Sequence, residues 1–135
     1  MTKRPIPTYK GRSIGIVVLT AAQLLIGAIH VFFGSLLLAF ENLTFIRATI
    51  IYDVYTVAFG ILTMVFAVFI WREKKSGWIG TIAVSLFVIA TDSFTLLDLP
   101  SIPGIPKFAG FGEITYSVLI IVYLCTRQVR EKYLG

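Results

Sequence analysis

Four ionisable side chains sit inside long apolar runs: His30, Asp53, Asp92 and Glu113. Charged groups are costly in hydrocarbon, so within a membrane span they face the bundle interior or a water-filled cavity. Projection at about 100° per residue places each on a stripe of small or polar residues. The first stripe is Gln23, Gly27, His30, Gly34 and Glu41, with Thr20 at its edge, and the second is Thr49, Asp53, Thr56, Gly60 and Ala67. Thr81, Ser85 and Asp92, with Thr95 beside them, make the third, and Glu113, Tyr116 and Ser117 the fourth. At about 1.5 Å of rise per residue, the ionisable groups form a ladder in one half of the membrane, the outer one. Tyr52, Tyr55 and Tyr116 lie at the same depths and can donate hydrogen bonds to carboxylates.

Three roles fit such a ladder. In a structural role His30 pairs with one aspartate while the tyrosines satisfy the other, locking the helices together. In a binding role His30, Asp53, Asp92 and Glu113 line an outward-opening cavity for a cation or small polar molecule. A bound metal would then draw on His30, Asp53 and Asp92, a carboxylate and imidazole set that suits Mn, Fe or Zn. No specific metal motif accompanies them and no cofactor is predicted. In a proton path, histidine and carboxylates are the usual parts, but nothing comparable continues inward past Gln23. Gly27, Gly34 and Gly60 are accounted for by close helix packing alone.

The elements that carry these residues follow from composition. Of 135 residues 57% are hydrophobic and 14% charged, where a soluble domain needs roughly 25% charged. A soluble enzyme, a disordered tail and a disulfide scaffold are thereby excluded. A span needs about 20 apolar residues, and four segments qualify, near 14–40, 45–71, 78–97 and 111–126. They predict an all-α polytopic membrane protein, an up-down-up-down bundle of antiparallel transmembrane helices. Residues 1–13 and 127–135 are read as basic tails and 98–110 as a proline-rich outer loop.

The net charge of +5 reports orientation rather than a nucleic-acid partner. Basic residues gather before the first span (Lys3, Arg4, Lys10, Arg12), between the second and third (Arg72, Lys74, Lys75) and after the last (Arg127, Arg130, Lys132). Only Arg47 and Lys107 fall in the other two connections. This asymmetry predicts both termini on the cytoplasmic side of the cell membrane. Trp71 and Trp78 bracket the inner loop at interfacial depth. Asn42-Leu43-Thr44 has the form of a glycosylation sequon, but it lies against two helix ends.

Pro100, Pro103 and Pro106 recur at the three-residue period of polyproline II, predicting an extended, stiff loop. With Phe108 and Phe111 it offers an apolar surface, either a lid packed on the bundle or a docking site for a partner. The single cysteine, Cys125, rules out a thiol relay or a Cys-based cluster within the chain. No phosphate loop, nucleophile elbow or zinc-protease helix occurs.

The run Tyr55-Thr56-Val57-Ala58-Phe59-Gly60-Ile61-Leu62, leading to Trp71, a basic loop and Gly77-Trp78-Ile79-Gly80, resembles small four-helix integral membrane proteins of prokaryotes, archaea included. Gln23-Leu24-Leu25-Ile26-Gly27-Ala28-Ile29-His30 has the same character. The resemblance implies the same four-span fold and carries no activity or catalytic residues. The chain thus reads as a non-enzymatic membrane protein in contact with lipid. It is an accessory subunit of a larger assembly, docked on other membrane subunits or on itself, or, alternatively, a binding or transport protein with an outer polar cavity.

Overall fold

The computed structural model describes residues 8–9, 11–44 and 50–135, with only the backbone described for 41–44. Lys3, Arg4, Lys10, Arg47, Thr49, the predicted start of the second span and the side chains of Glu41 and Asn42 lie outside the described residues. The described chain is all-α apart from one small hairpin, β1 (Thr8–Tyr9) paired antiparallel with β2 (Arg12–Ser13). Gly11 at φ +76° makes its turn, a conformation that glycine adopts without strain. The helices are α1 (Ile14–Thr44), α2 (Ile50–Trp71), α3 (Lys75–Leu96), α4 (Lys107–Cys125) and α5 (Arg127–Leu134).

The first four are long and apolar enough to cross a membrane. Only 22–28% of their most apolar stretches is buried within the protein, so most of the aliphatic and aromatic surface faces outward. The interior is the more polar part. Thr20, Gln23, Asp53, Thr56, Thr63, Thr81, Ser85, Asp92 and Ser117 are all buried. This inversion follows from the solvent: lipid gives apolar side chains no reason to turn inward, whereas polar ones must find each other.

α1 packs on α2, α2 on α3 and α3 on α4, while no comparable α1–α4 packing occurs among the described residues. The glycine stripes seat the first pair. A Cβ at Gly27 would lie 2.7 Å from the Gly60 carbonyl oxygen, and one at Gly60 would lie 2.7 Å from that of Gly27. α2 and α3 approach as tightly, since a Cβ at Gly77 would meet the Ile70 nitrogen at 2.5 Å.

α2 and α3 end alike. Lys74 N–H donates to the Phe69 carbonyl and Glu73 N–H to that of Ile70, both at 2.9 Å, with Glu73 at φ +56°. After α3, Leu99 N–H donates to Phe94 O at 2.8 Å and Asp98 N–H to Thr95 O at 3.3 Å, with Asp98 at φ +56°. Both are Schellman closures that use an acidic residue where glycine is usual.

Three expectations need correction. α3 begins at Lys75, so Trp78 lies inside its first turns and donates from Nε1 to Leu124 O at 2.9 Å. The proline segment is not continuous polyproline II: Pro103-Gly104, with Gly104 at φ +94°, turns the chain, the Pro-Gly order of a type II turn. Pro106 then caps α4, which starts at Lys107 rather than near 111, because a proline before a helix loses no needed N–H. Residues 127–135 are no simple tail either. Val129 and Tyr133, four apart on α5, are buried against Ile16, Leu19, Ile70, Ile120 and Leu124.

Candidate functional site

The candidate site lies between α1, α2, α3 and α4. A cavity of about 260 Å³ is walled by Gln23, Ile26 and His30 from α1, Phe59, Thr63 and Phe66 from α2, Thr81, Val84, Ser85 and Val88 from α3, and Gly112, Glu113, Tyr116, Ser117 and Ile120 from α4. For scale, a cavity of roughly 150 Å³ holds benzene. The stripes position its polar wall, because every third or fourth residue of each helix points the same way.

At one end the cavity borders an apolar plug, the two sharing Ile120. Ile16, Leu19, Ile70, Ile120, Leu124, Val129 and Tyr133 form the apolar cluster, and Gly15 is in direct contact with the Tyr123 ring. Tyr133 Oη donates to Ile70 O at 2.9 Å, and Arg12 Nε donates to Trp71 O at 3.2 Å with its guanidinium 4.3 Å from the Trp71 ring centre. Lys132 Nζ is 2.7 Å from Glu73 Oε1. The α2–α3 connection, the hairpin and α5 thus close one end together.

Away from the plug, α1 and α4 are joined by His30 and Glu113. His30 Nδ1 lies 2.8 Å from the Ile26 carbonyl oxygen. A carbonyl only accepts, so Nδ1 carries a hydrogen and Nε2 is turned towards Glu113. Nε2 to Glu113 Oε1 is 3.9 Å, beyond hydrogen-bond reach. Phe59 meets the His30 ring edge-on at 5.1 Å between centres.

Asp92 is fully buried, and neither of its carboxylate oxygens has a hydrogen-bond donor. Glu113 of α4 is its acidic neighbour. A Cβ at Gly110 would lie 3.4 Å from Asp92 Cβ, so α4 runs close alongside it. Deeper in, Gln23 Nε2 donates to Thr81 Oγ1 at 3.4 Å, while Gln23 Oε1 and Tyr116 Oη are buried without partners.

The structure therefore brings together His30, Glu113, Gln23 and Tyr116 on one cavity, with Asp92 beside Glu113. Asp53 is buried off the cavity, where its backbone carbonyl faces Gly34 of α1. Tyr55 stacks with Phe59 at 6.1 Å between centres, and Tyr52 lies beside Tyr55 at 6.5 Å; neither lines the cavity. Among the described residues no three His, Cys, Asp or Glu side chains converge as a metal set, so His30, Asp53 and Asp92 do not meet as one.

The loop carrying Pro100 and Pro103 contributes no residue to the cavity wall. Ser101 Oγ donates instead to Thr91 O at 2.8 Å, tying the loop to the side of α3. Phe108 and Phe111 stand out on the first turns of α4, 83% and 66% exposed. The inward stripes include Thr81, Ser85 and Ser117 without assigning them to a ligand, and they leave out Thr63, which also lines the cavity. They miss the aromatic wall of Phe59 and Phe66 as well. No protein-family model, curated protein or solved structure matches the chain. Its function must be read from this geometry.

Proposed function

We propose that the chain is a small membrane binding or transport protein whose ligand occupies the cavity between the four helices. The observation that carries this reading is a cavity of about 260 Å³ whose largely apolar wall carries buried polar side chains, with Gln23 Oε1 and Tyr116 Oη left without partners. A bundle held only by structural hydrogen bonds would pair those atoms. In the same reading the helices run up-down-up-down with both termini cytoplasmic and the cavity open on the far side. Two features support it. Gly27 meets Gly60 while Gly34 meets Asp53, numbers that rise on one helix as they fall on the next, and the basic residues gather near the plugged end.

The test fills the cavity. Ser117→Phe and, separately, Ser85→Leu should abolish stabilisation by small polar or cationic probes in lipid nanodiscs while the helical signal persists. Retained stabilisation in both folded variants would refute the reading. For orientation, Ser76→Cys in a Cys125→Ser background should be protected from a membrane-impermeant maleimide in intact cells and labelled after lysis.

A second reading, an accessory subunit of a larger membrane assembly, is favoured by the exposed Phe108 and Phe111 beside the proline turn. It expects mild extraction of native membranes to yield a particle much larger than the 15.0 kDa chain with its detergent. A monomer or simple homo-oligomer would rule it out.

A further inference from the structure

The mouth of the cavity is short of hydrogen-bond donors. His30 Nδ1 is committed to Ile26 O at 2.8 Å, and Nε2 faces the acceptor Glu113 Oε1 at 3.9 Å, too far for a direct bond; when the ring is neutral, Nε2 is an acceptor as well. A donor seated about 2.8 Å from each would bridge the two at close to a right angle, which suits a group that carries several N–H bonds. Charge points the same way. Asp92 and Glu113 bring two acidic groups to one imidazole, so acidic groups outnumber basic ones in the cluster. Among the described residues, Lys107 at the start of α4 is already paired, 2.6 Å from Asp98. A buried carboxylate with no donor is costly.

We propose that the cavity takes a protonated primary alkylamine, its ammonium held between His30 Nε2 and Glu113 and its chain lying along Phe59 and Phe66. This rests on the binding reading above and names its ligand class. The walls favour an organic cation over a metal ion, because the ionisable groups form no metal set among the described residues and aromatic faces attract ammonium groups. Gln23 Oε1, buried and unpartnered on the same helix as His30, calls for a second donor at the far end of the ligand. Seven residues of helix separate the two sites by about 10 Å, a distance that an extended chain of about six carbons covers.

Binding of hexylammonium, 6-amino-1-hexanol and 1-hexanol to the full chain in nanodiscs, read by ligand-observed NMR at neutral pH, tests this. Both amines should bind, the amino alcohol tighter, and hexanol should bind at least tenfold more weakly than hexylammonium. Glu113→Gln should cost the amines at least tenfold and leave hexanol unchanged. Gln23→Leu should erase the advantage of the amino alcohol. If hexanol equals hexylammonium, or if folded Glu113→Gln binds amines as the parent does, the amine proposal is overturned. Provided Ser117→Phe still removes binding, the cavity reading survives that result. If hexylammonium, hexanol, potassium and manganese all fail to bind the parent protein, both fall.

Discussion

At the scale of single residues, Asp92 is the most informative side chain. A fully buried carboxyl group without a hydrogen-bond partner adds nothing to stability in the empty protein. Asp92→Asn is therefore expected to leave the unliganded fold as stable or raise its stability by about 1 kcal/mol, measured by denaturant titration in micelles. A loss above that range would mean that Asp92 holds the helices together. The sequence marked Asp92 and His30 as interior residues, because an ionisable group in an apolar run has nowhere else to go. It also grouped Asp53 with them. Helical projection gives a direction but not which neighbour occupies it, and Asp53 is buried without reaching the cavity wall, its backbone carbonyl beside Gly34.

At the scale of elements, two devices can be tested. Gly27 and Gly60 touch back to back, whereas a Cβ at Gly112 would meet nothing within 4 Å. Gly60→Ala should cost about 1–3 kcal/mol through forced separation of α1 and α2. Gly112→Ala should be neutral or stabilise by up to about 1 kcal/mol, since alanine is the better helix former. Unfolding of the two variants side by side gives the comparison.

The second device is α5, which docks through Tyr133 on Ile70 and Lys132 on Glu73. The hydrogen bond from Lys132 holds the Glu73 carboxyl below its ordinary 4.5. Its contribution is complete above that value and is lost as pH falls through the lowered one. Glu73 is 44% exposed, so screening limits the effect to about 0–1 kcal/mol. Burial, reinforced by the nearby Glu73 charge, pushes the Tyr133 phenol from 10.0 up to about 12. That contribution is complete below pH 10 and disappears as pH rises through about 12. Hydrogen exchange of α5 amides should accelerate at both extremes, with Glu73→Gln flattening the acid limb and Tyr133→Phe the alkaline one. An unchanged profile in Tyr133→Phe would remove the phenol from the account. The sequence showed 127–135 only as basic; the Val129 and Tyr133 spacing was the signal, hidden because two apolar residues among charges set no clear period.

At the scale of the whole molecule, one end is plugged and the α1–α4 seam is joined by side chains alone. In a Cys125→Ser background, Ser117→Cys should react with a small polar thiol reagent while Leu124→Cys, inside the plug, should not. Equal protection of both would mean that the cavity is sealed. The four spans were legible because lipid demands about 20 apolar residues each, a local property of the chain. The helix caps were less so: Pro106 starts α4 early, and acidic residues take the left-handed positions where glycine would have announced a stop.

The chain by itself determined that four helices are long and apolar enough to cross a bilayer, that charge gathers in three basic clusters, and that each helix carries one acid or histidine on a polar stripe. These follow from transfer energies and helical period, which depend on nothing outside each segment. Tertiary structure alone decided which stripes meet. It put His30 against Glu113, drew Gln23 and the hydroxyls of α3 and α4 around one cavity, turned Asp53 aside and folded the tail into a plug. Those outcomes depend on the rotation and tilt of packed helices, which are set by contacts such as Gly27 on Gly60 between residues far apart in the sequence.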